Sequence, residues 1–229
     1  HKLNVNVGAP AVAFRETITK EMRHEYKYKK QSGGHGQFAH ILFRIEENAG
    51  KGLEFVDHIK GGNIPKEYIP AVEKGFRDTM AKGVLAGFPM VDIKFTLIDG
   101  SFHAVDSSEM AFRSCTEQGL KEAIKKAGAI MLEPLMKLEI NTPDEYMGDI
   151  IGDVNRRRGQ IDNMRRHRKG SQKLQGFVPL KEMFGYASSL RTISSGRANY
   201  SMEFFNYKPV PQKLQEETIE EINKQKQGK

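Results

Sequence analysis

One cysteine stands among 229 residues. No disulfide can form within the chain, and a reducing compartment is the expectation. That residue, Cys115, lies between Phe112 and Leu120 in a stretch of helical spacing. The pattern predicts a buried structural thiol, not a nucleophile. No apolar run approaches bilayer-spanning length and no secretory leader is visible, so no membrane partner is expected. The motif G-x-x-x-x-G-K-[ST] is missing, which excludes a P-loop phosphate cradle from these residues. His35, His40 and His103 have no cysteine or carboxylate at metal-ligand spacing, so no metal site is predicted. Internal repeats and low-complexity segments are also missing.

What the sequence does have is positive charge. Thirty-six Lys and Arg against 29 Asp and Glu leave a formal charge of +7, and the pI is about 9.3. The default partner of such a surface is a polyanion. The chain is long enough for one or two domains with cores of their own. It starts with His1-Lys2-Leu3-Asn4-Val5, which reads as the end of a strand cut from a longer protein.

The most informative stretch is Gln31-Ser32-Gly33-Gly34-His35-Gly36-Gln37-Phe38. Upstream, Met22, His24, Tyr26 and Tyr28 alternate with Arg23, Glu25, Lys27 and Lys29; downstream, Ala39, Ile41, Phe43 and Ile45 share a face. Period-2 patterning on both sides of a glycine cluster predicts a long hairpin with the glycines at its tip. Such a tip adopts positive φ and carries little bulk, so it fits closely against another backbone. Lys27, Lys29, Lys30 and His40 beside it point to an anionic one.

Around this hairpin the sequence predicts strands at Ala11–Phe14, Leu53–Ile59 and Val91–Leu97. A helix is expected after Pro65, with Ile69, Val72, Phe76 and Met80 as its buried stripe. A turn over Asp99–His103 leads to a second helix that runs to about Lys126 and ends at Gly128. Asp106, Ser107 and Ser108 are its candidate N-caps, and Glu109 is an acid suited to a helix N-terminus, so this cluster needs no hydrolytic reading. Beyond it the order is β-α-β-β-α-β, a ferredoxin-like pattern. Its strands are Ile130–Ile140, Ile161–Arg168, Ser171–Val178 and Tyr200–Tyr207. Its first helix presents Met147, Ile150, Ile151 and Val154, and its second, from Leu180, buries Met183, Phe184, Ala187 and Leu190. A polar helix near Gln212–Lys224 follows Pro209 and Pro211.

Several ordered blocks carry a specific resemblance. They are Arg15-Glu16-Thr17-Ile18, the Gly33–His40 loop, Gly61-Gly62-Asn63-Ile64-Pro65 through Val72, Gly87-Phe88-Pro89, and Asp99 through Phe112. Further on stand Pro143-Asp144-Glu145-Tyr146-Met147-Gly148-Asp149, Arg157-Arg158-Gly159-Gln160 and Glu182-Met183-Phe184-Gly185-Tyr186-Ala187. Over residues 8–210 the chain resembles the C-terminal half, domains IV and V, of elongation factor G, the ribosomal translocase GTPase. The resemblance implies an α+β chain of two domains, a ribosomal-protein-S5-domain-2-like α/β sandwich followed by the ferredoxin-like domain. The expected boundaries are 1–8 for the end of a preceding domain or linker, 9–127, 128–210, and 211–229 for a C-terminal helix or tail.

The resemblance also implies a role. The first domain would be a finger that enters the decoding centre and holds A-site transfer RNA and messenger RNA. Gly33, Gly34, His35, Gly36 and Gln37 would form one RNA-contact loop, and Asp99, Gly100, Ser101, Phe102 and His103 the other. Glycine N–H groups can donate to phosphates, Gln37 can reach a ribose hydroxyl or a base edge, and His103 can stack on a base or donate to a phosphate. The implied partners are ribosomal RNA of both subunits, transfer RNA, messenger RNA and, for some relatives, the recycling factor; a cytoplasmic or organellar monomer is expected. No cofactor is expected here, GTP and Mg belonging to an N-terminal part outside this chain, and no catalytic residue is expected.

Two features depart from the family pattern. Translocases of the family usually carry arginine at His35 and glycine at Ala39, and the Ser114–Gly119 helix segment is more polar than usual. A recycling-type relative that splits ribosomes is therefore the alternative; a ribosomal protection protein fits the Gly-Gly-x-Gly-Gln tip poorly. The second hairpin, at Arg165, Arg166, His167, Arg168 and Lys169, is more basic than is usual for the family. It is either a solvated charged turn or a contact with large-subunit RNA backbone. The run Arg156-Arg157-Arg158 is read as favourable charge at a helix C-terminus.

Overall fold

The computed structural model describes residues 13–228. The readings of residues 1–5 and of Ala11–Val12 as strand lie outside them. The chain divides into two bodies: one is Arg15–Met131 with Val210–Lys229, and the other takes Leu132–Pro209. In chain order the first body holds β1 (Arg15–Thr17), β2 (Met22–Ser32), β3 (His35–Glu47), β4 (Glu54–Asp57), α1 (Ile69–Lys82), β5 (Ile93–Ser101) and α2 (Glu109–Lys126). Then come β6 (Ile130–Pro143), α3 (Met147–Arg156), β7 (Gln160–Arg168), β8 (Ser171–Pro179), α4 (Tyr186–Ile193) and β9 (Asn199–Pro209). The last element, α5 (Gln212–Gln227), returns to the first body.

The first body is a four-stranded sheet of order β2-β3-β5-β4. The register sets His24 opposite Phe43 and Tyr26 opposite Ile41, so one face of the hairpin is continuous. Helix α2 packs on β2 and β3, and α1 packs on α2. Ile41, Phe43, Ile45, Phe95, Leu97, Phe76, Met80, Phe112 and Leu120 are buried in one cluster between sheet and helices. Phe43 and Phe95 stack at 4.9 Å, and each fully buried ring contributes roughly 2 kcal/mol of transfer free energy. Cys115 lies in this core, where burial pushes its thiol up to about 12. That removes the thiolate a nucleophile requires.

Three local details differ from the sequence pattern. Pro65 opens only a short 3-10 turn, and α1 starts at Ile69 with Pro70 in its first turn. Strand β5 does not turn at Asp99 but continues to Ser101, because β3 offers partners through the pairs Leu42–Asp99, Ile41–Gly100 and His40–Ser101. Ala13 and Phe14 precede β1, which runs Arg15–Thr17. The buried Glu16 side chain in β1 organises the loop that follows α1. One carboxylate oxygen accepts from the Val84 and Leu85 N–H groups at 2.8 and 2.7 Å, and the other from Ala86 and Phe88 at 2.8 and 2.9 Å.

In the second body the strands follow the order β9-β6-β8-β7, all antiparallel to their neighbours. With two helices between them this is the ferredoxin-like arrangement that the element order predicts. Leu138, Ile140, Leu174 and Val178 meet Ile150, Val154, Tyr186 and Leu190 in its core. The helix expected from Leu180 is broken: a 3-10 turn, Leu180–Met183, precedes α4, and Gly185 between them has φ +73°. That break turns Phe184 outward, 48% exposed, and seats Tyr186 in the core in its place. Ala187 is exposed as well.

Helix α5 closes the first body. Val210 N–H donates to the Met131 carbonyl at 3.0 Å, and Gln215 Oε1 accepts from Met131 N–H at 2.9 Å. Thr218 is its buried residue.

Candidate nucleic-acid interface

The tip of the β2–β3 hairpin is a two-residue turn. Ser32 pairs with His35, leaving Gly33 (φ +59°) and Gly34 (φ +107°) as the central residues. Positive φ at both positions is the type I′ geometry that suits strand twist and that glycine adopts without strain. The five-residue loop expected from the sequence is thus shorter. His35, Gly36 and Gln37 belong to β3, with His35 exposed and Gly36 and Gln37 half-buried. Gly36 is glycine for a different reason: a Cβ there would lie 2.9 Å from Asp106 Oδ2.

Register places the second predicted segment at the same end of the sheet. The last partner of β5 on β3 is His40, so residues 35–39 of β3 run on past β5, paired with β2. At about 3.4 Å per residue this is an overhang of roughly 17 Å. Asp99, Gly100 and Ser101 lie in the end of β5, and the turn itself spans residues 104–106. Asp99 Oδ1 accepts from Asn63 Nδ2 at 2.9 Å and from Gly100 N–H at 2.8 Å. The Asn63 hydrogen bond first, then that of Gly100, holds its carboxyl below the ordinary value. Ser101 Oγ meets His40 Nδ1 at 2.8 Å, while His40 Nε2 faces Glu25 at 3.1 Å.

Past Ser101 the chain folds back along the overhang and supplies the partners that β5 no longer gives. Phe38 N–H donates to the Asp106 carbonyl at 2.9 Å. Ser107 Oγ donates to the Phe38 carbonyl at 2.7 Å and accepts from His103 N–H at 2.9 Å. The His103 and Phe38 rings stack at 4.0 Å with 18° between their planes. Ser108 is the N-cap of α2, its Oγ accepting from Ala111 N–H at 3.0 Å. The two predicted RNA-contact segments therefore form one clasped tip. Phe102 is exposed beside it, and Val105, 84% exposed, stands at the apex of the turn. Nothing local in the sequence marks Val105, Asp106 and Ser107 as tip residues, because only the long-range clasp brings them there.

The second hairpin lies in the other body. Lys169 and Gly170 form its turn, with Gly170 at φ +78°. Arg165 pairs with Lys173 and Arg166 with Gln172, and a register shift before Arg168 leaves His167 in a bulge. Strand β7 is at the sheet edge and exposed from Asp162 onward. Arg165, Arg166, Arg168 and Lys169 make no ion pair with a described residue, whereas Lys173 Nζ lies 3.8 Å from Glu139. His167, Arg168 and Arg197 line an open hollow of about 400 Å³ with Asn141 and Asn199.

The Arg156–Arg158 run is different. Arg157 donates to Asp153 Oδ2 (3.0 Å), to the Glu182 and Phe184 carbonyls (2.7 and 3.2 Å) and to Ser189 Oγ (2.9 Å). Arg158 binds Glu133 through two hydrogen bonds and reaches Glu182. These two charges tie the body together rather than merely offset a helix terminus. Among the described residues no group of three His, Cys, Asp or Glu is placed to hold a metal, and no helix is long and apolar enough to cross a membrane.

Comparison with known proteins agrees with both bodies. Residues 10–128 match the family model of elongation factor G, domain IV, and residues 130–218 match that of the elongation factor G C-terminus. A crystal structure of a protein from Thermus thermophilus is similar over 95% of this chain, at 36% sequence identity and a TM-score of 0.82. The chain spans 32% of the length of that protein. Two family models in tandem, together matching residues 10–128 and 130–218, place this chain in the elongation factor G family, as its domain IV and C-terminal region.

Proposed function

We propose that this chain is the ribosome-contacting part of a translocase. The clasped tip of the first body enters the decoding centre, contacts A-site transfer RNA and messenger RNA, and prevents backward slippage. GTP hydrolysis, with Mg, takes place in a part of the full-length protein outside this chain and repositions the tip. No residue here breaks a bond. The observation that carries this reading is the clasp, in which Ser107 Oγ bonds both Phe38 and His103. It joins two segments distant in sequence into one projecting, glycine-ended finger. The unpaired cations of the β7–β8 hairpin support a second contact, with phosphates of large-subunit ribosomal RNA. The setting is the cytoplasm or an organellar matrix.

One observation favours a recycling role instead. His35 stands where translocases of the family usually carry arginine, and an imidazole holds a phosphate less well than a two-pronged guanidinium. One experiment separates the two. In the full-length protein His103→Ala slows messenger RNA movement far more than GTP turnover, and His35→Arg raises movement. Equal movement by wild type and both variants, with ribosome splitting intact, favours recycling.

A further inference from the structure

We infer that Phe38 is a positioning residue that presents the His103 imidazole as a flat platform for the face of a nucleobase, not as a hydrogen-bond donor to a phosphate. This rests on the RNA-contact reading of the tip. Phe38 is 6% exposed, and both its backbone groups are bonded to the second loop. It is therefore a fixed surface. His103 lies nearly parallel to it at 4.0 Å, and its backbone N–H is tied to the same Ser107 oxygen that holds the Phe38 carbonyl. A ring stacked on a fixed ring has its nitrogens in the stacking plane and its second face outward, and His103 is exposed. A third aromatic ring can extend such a stack, as bases do on side chains that bind single-stranded RNA.

The surroundings suit a nucleotide whose base and phosphate are held by different groups. Phe102 and Val105 expose apolar surface next to His103 in the sequence. The Asp106 carboxylate sits against Gly36 in the same clasp, and an anion there opposes a phosphate more than it opposes a base face. Lys29, opposite Phe38 on β2, has its Nζ 5.9 Å from the centre of the Phe38 ring, so with Lys27 it can serve the backbone phosphate while His103 serves the base.

The test uses the free 229-residue chain and the full-length protein. In the free chain, the His103 ring protons carry an upfield ring-current shift. Phe38→Leu removes it and Phe38→Tyr keeps it, with the His58 signals as an internal control. In the full-length protein on ribosomes, His103→Ala and His103→Gln both slow messenger RNA movement, by about tenfold, the loss of one stacked base. His103→Phe recovers the rate to within about threefold, and Phe38→Leu slows it while Phe38→Tyr recovers it. If His103→Gln moves messenger RNA like wild type while His103→Phe is as slow as His103→Ala, the imidazole acts by hydrogen bonding and the inference is overturned. An unchanged His103 shift in Phe38→Leu also overturns it. Wild-type movement by His103→Ala overturns the proposed function, and this inference with it.

Discussion

Arg158 and Glu133 meet through two hydrogen bonds, Nη1 to Oε2 at 3.0 Å and Nη2 to Oε1 at 2.8 Å, with the Glu133 side chain 3% exposed. Arg158 holds this geometry on a backbone with φ +59°, an uncommon conformation for a residue with a side chain. Glu133 is in β6, so the pair pins the turn after α3 to the strand at the centre of its sheet.

Breaking that pair from one side leaves a buried charge unmatched. Arg158→Ala, which strands the 3% exposed Glu133 carboxylate, is expected to lower the unfolding free energy by about 3 kcal/mol; Glu133→Ala costs less, because Arg158 is partly exposed and keeps Glu182, and replacing both residues by apolar ones of similar volume restores most of the loss. A double-mutant cycle in urea measures this. Additive losses from the two single changes would refute the coupling.

Glu16→Ala removes the acceptor of four backbone N–H groups at once. Each part-buried donor left without a partner costs about 1 kcal/mol, so a loss of about 4 kcal/mol is expected. Fast amide hydrogen exchange at residues 84–88 should accompany it, with a partial recovery in Glu16→Gln. Wild-type exchange in Glu16→Ala contradicts the assignment.

How much of this is legible in the sequence differs by region. The β2–β3 hairpin and strands β6 and β8 are legible because one face of each is turned inward, and period-2 alternation records that directly; β7 and β9 are largely exposed and are placed by their pairing. The clasp is not. What keeps β5 extended through Ser101 is its partner on β3, and what fixes the tip is Asp106 and Ser107 reaching back to Phe38. Neither leaves a local pattern. Gly36 resembles one more turn glycine, yet it is a strand residue that leaves space for Asp106. Arg157 and Arg158 resemble a plain charge run, since a sequence shows charge but not the carbonyls and carboxylates that meet it. Phe184 has the spacing of a buried residue because the left-handed break at Gly185 is invisible to helical periodicity.

Asp99 offers a pH test at the tip. Its carboxyl is held low by Asn63 first and Gly100 second, so its pKa in the folded chain lies below that in the unfolded chain. The stabilising contribution is then fully present above about pH 3.9, the ordinary value. It is lost as pH falls through the depressed one. Asn63→Ala should move the Asp99 titration upward, as followed by carboxyl carbon shifts. A titration curve that does not move would show that Asn63 does not hold the carboxylate.

The β7–β8 hairpin makes a quantitative prediction. Each neutralised phosphate contributes roughly 0.7–0.9 to the slope of log affinity against log salt, so replacing Arg165, Arg166 and Arg168 by glutamine should flatten the slope for ribosome binding by about 2 units. The same slope in the triple variant would mean that these arginines are solvated and touch no RNA.

Chain connectivity adds a constraint on synthesis. The first body is written in two pieces, Arg15–Met131 and Val210–Lys229, with the second body encoded between them. A nascent chain that has released β1 through α2 still lacks α5 and the Gln215 acceptor for Met131. At about 5–20 residues per second, the finger waits several seconds for its last helix while the ferredoxin-like body emerges and folds. A ribosome making this protein therefore completes the part that is proposed to work inside another ribosome only after the body encoded within it, and a message cut short before the codon for Gln212 yields a finger without its closing helix.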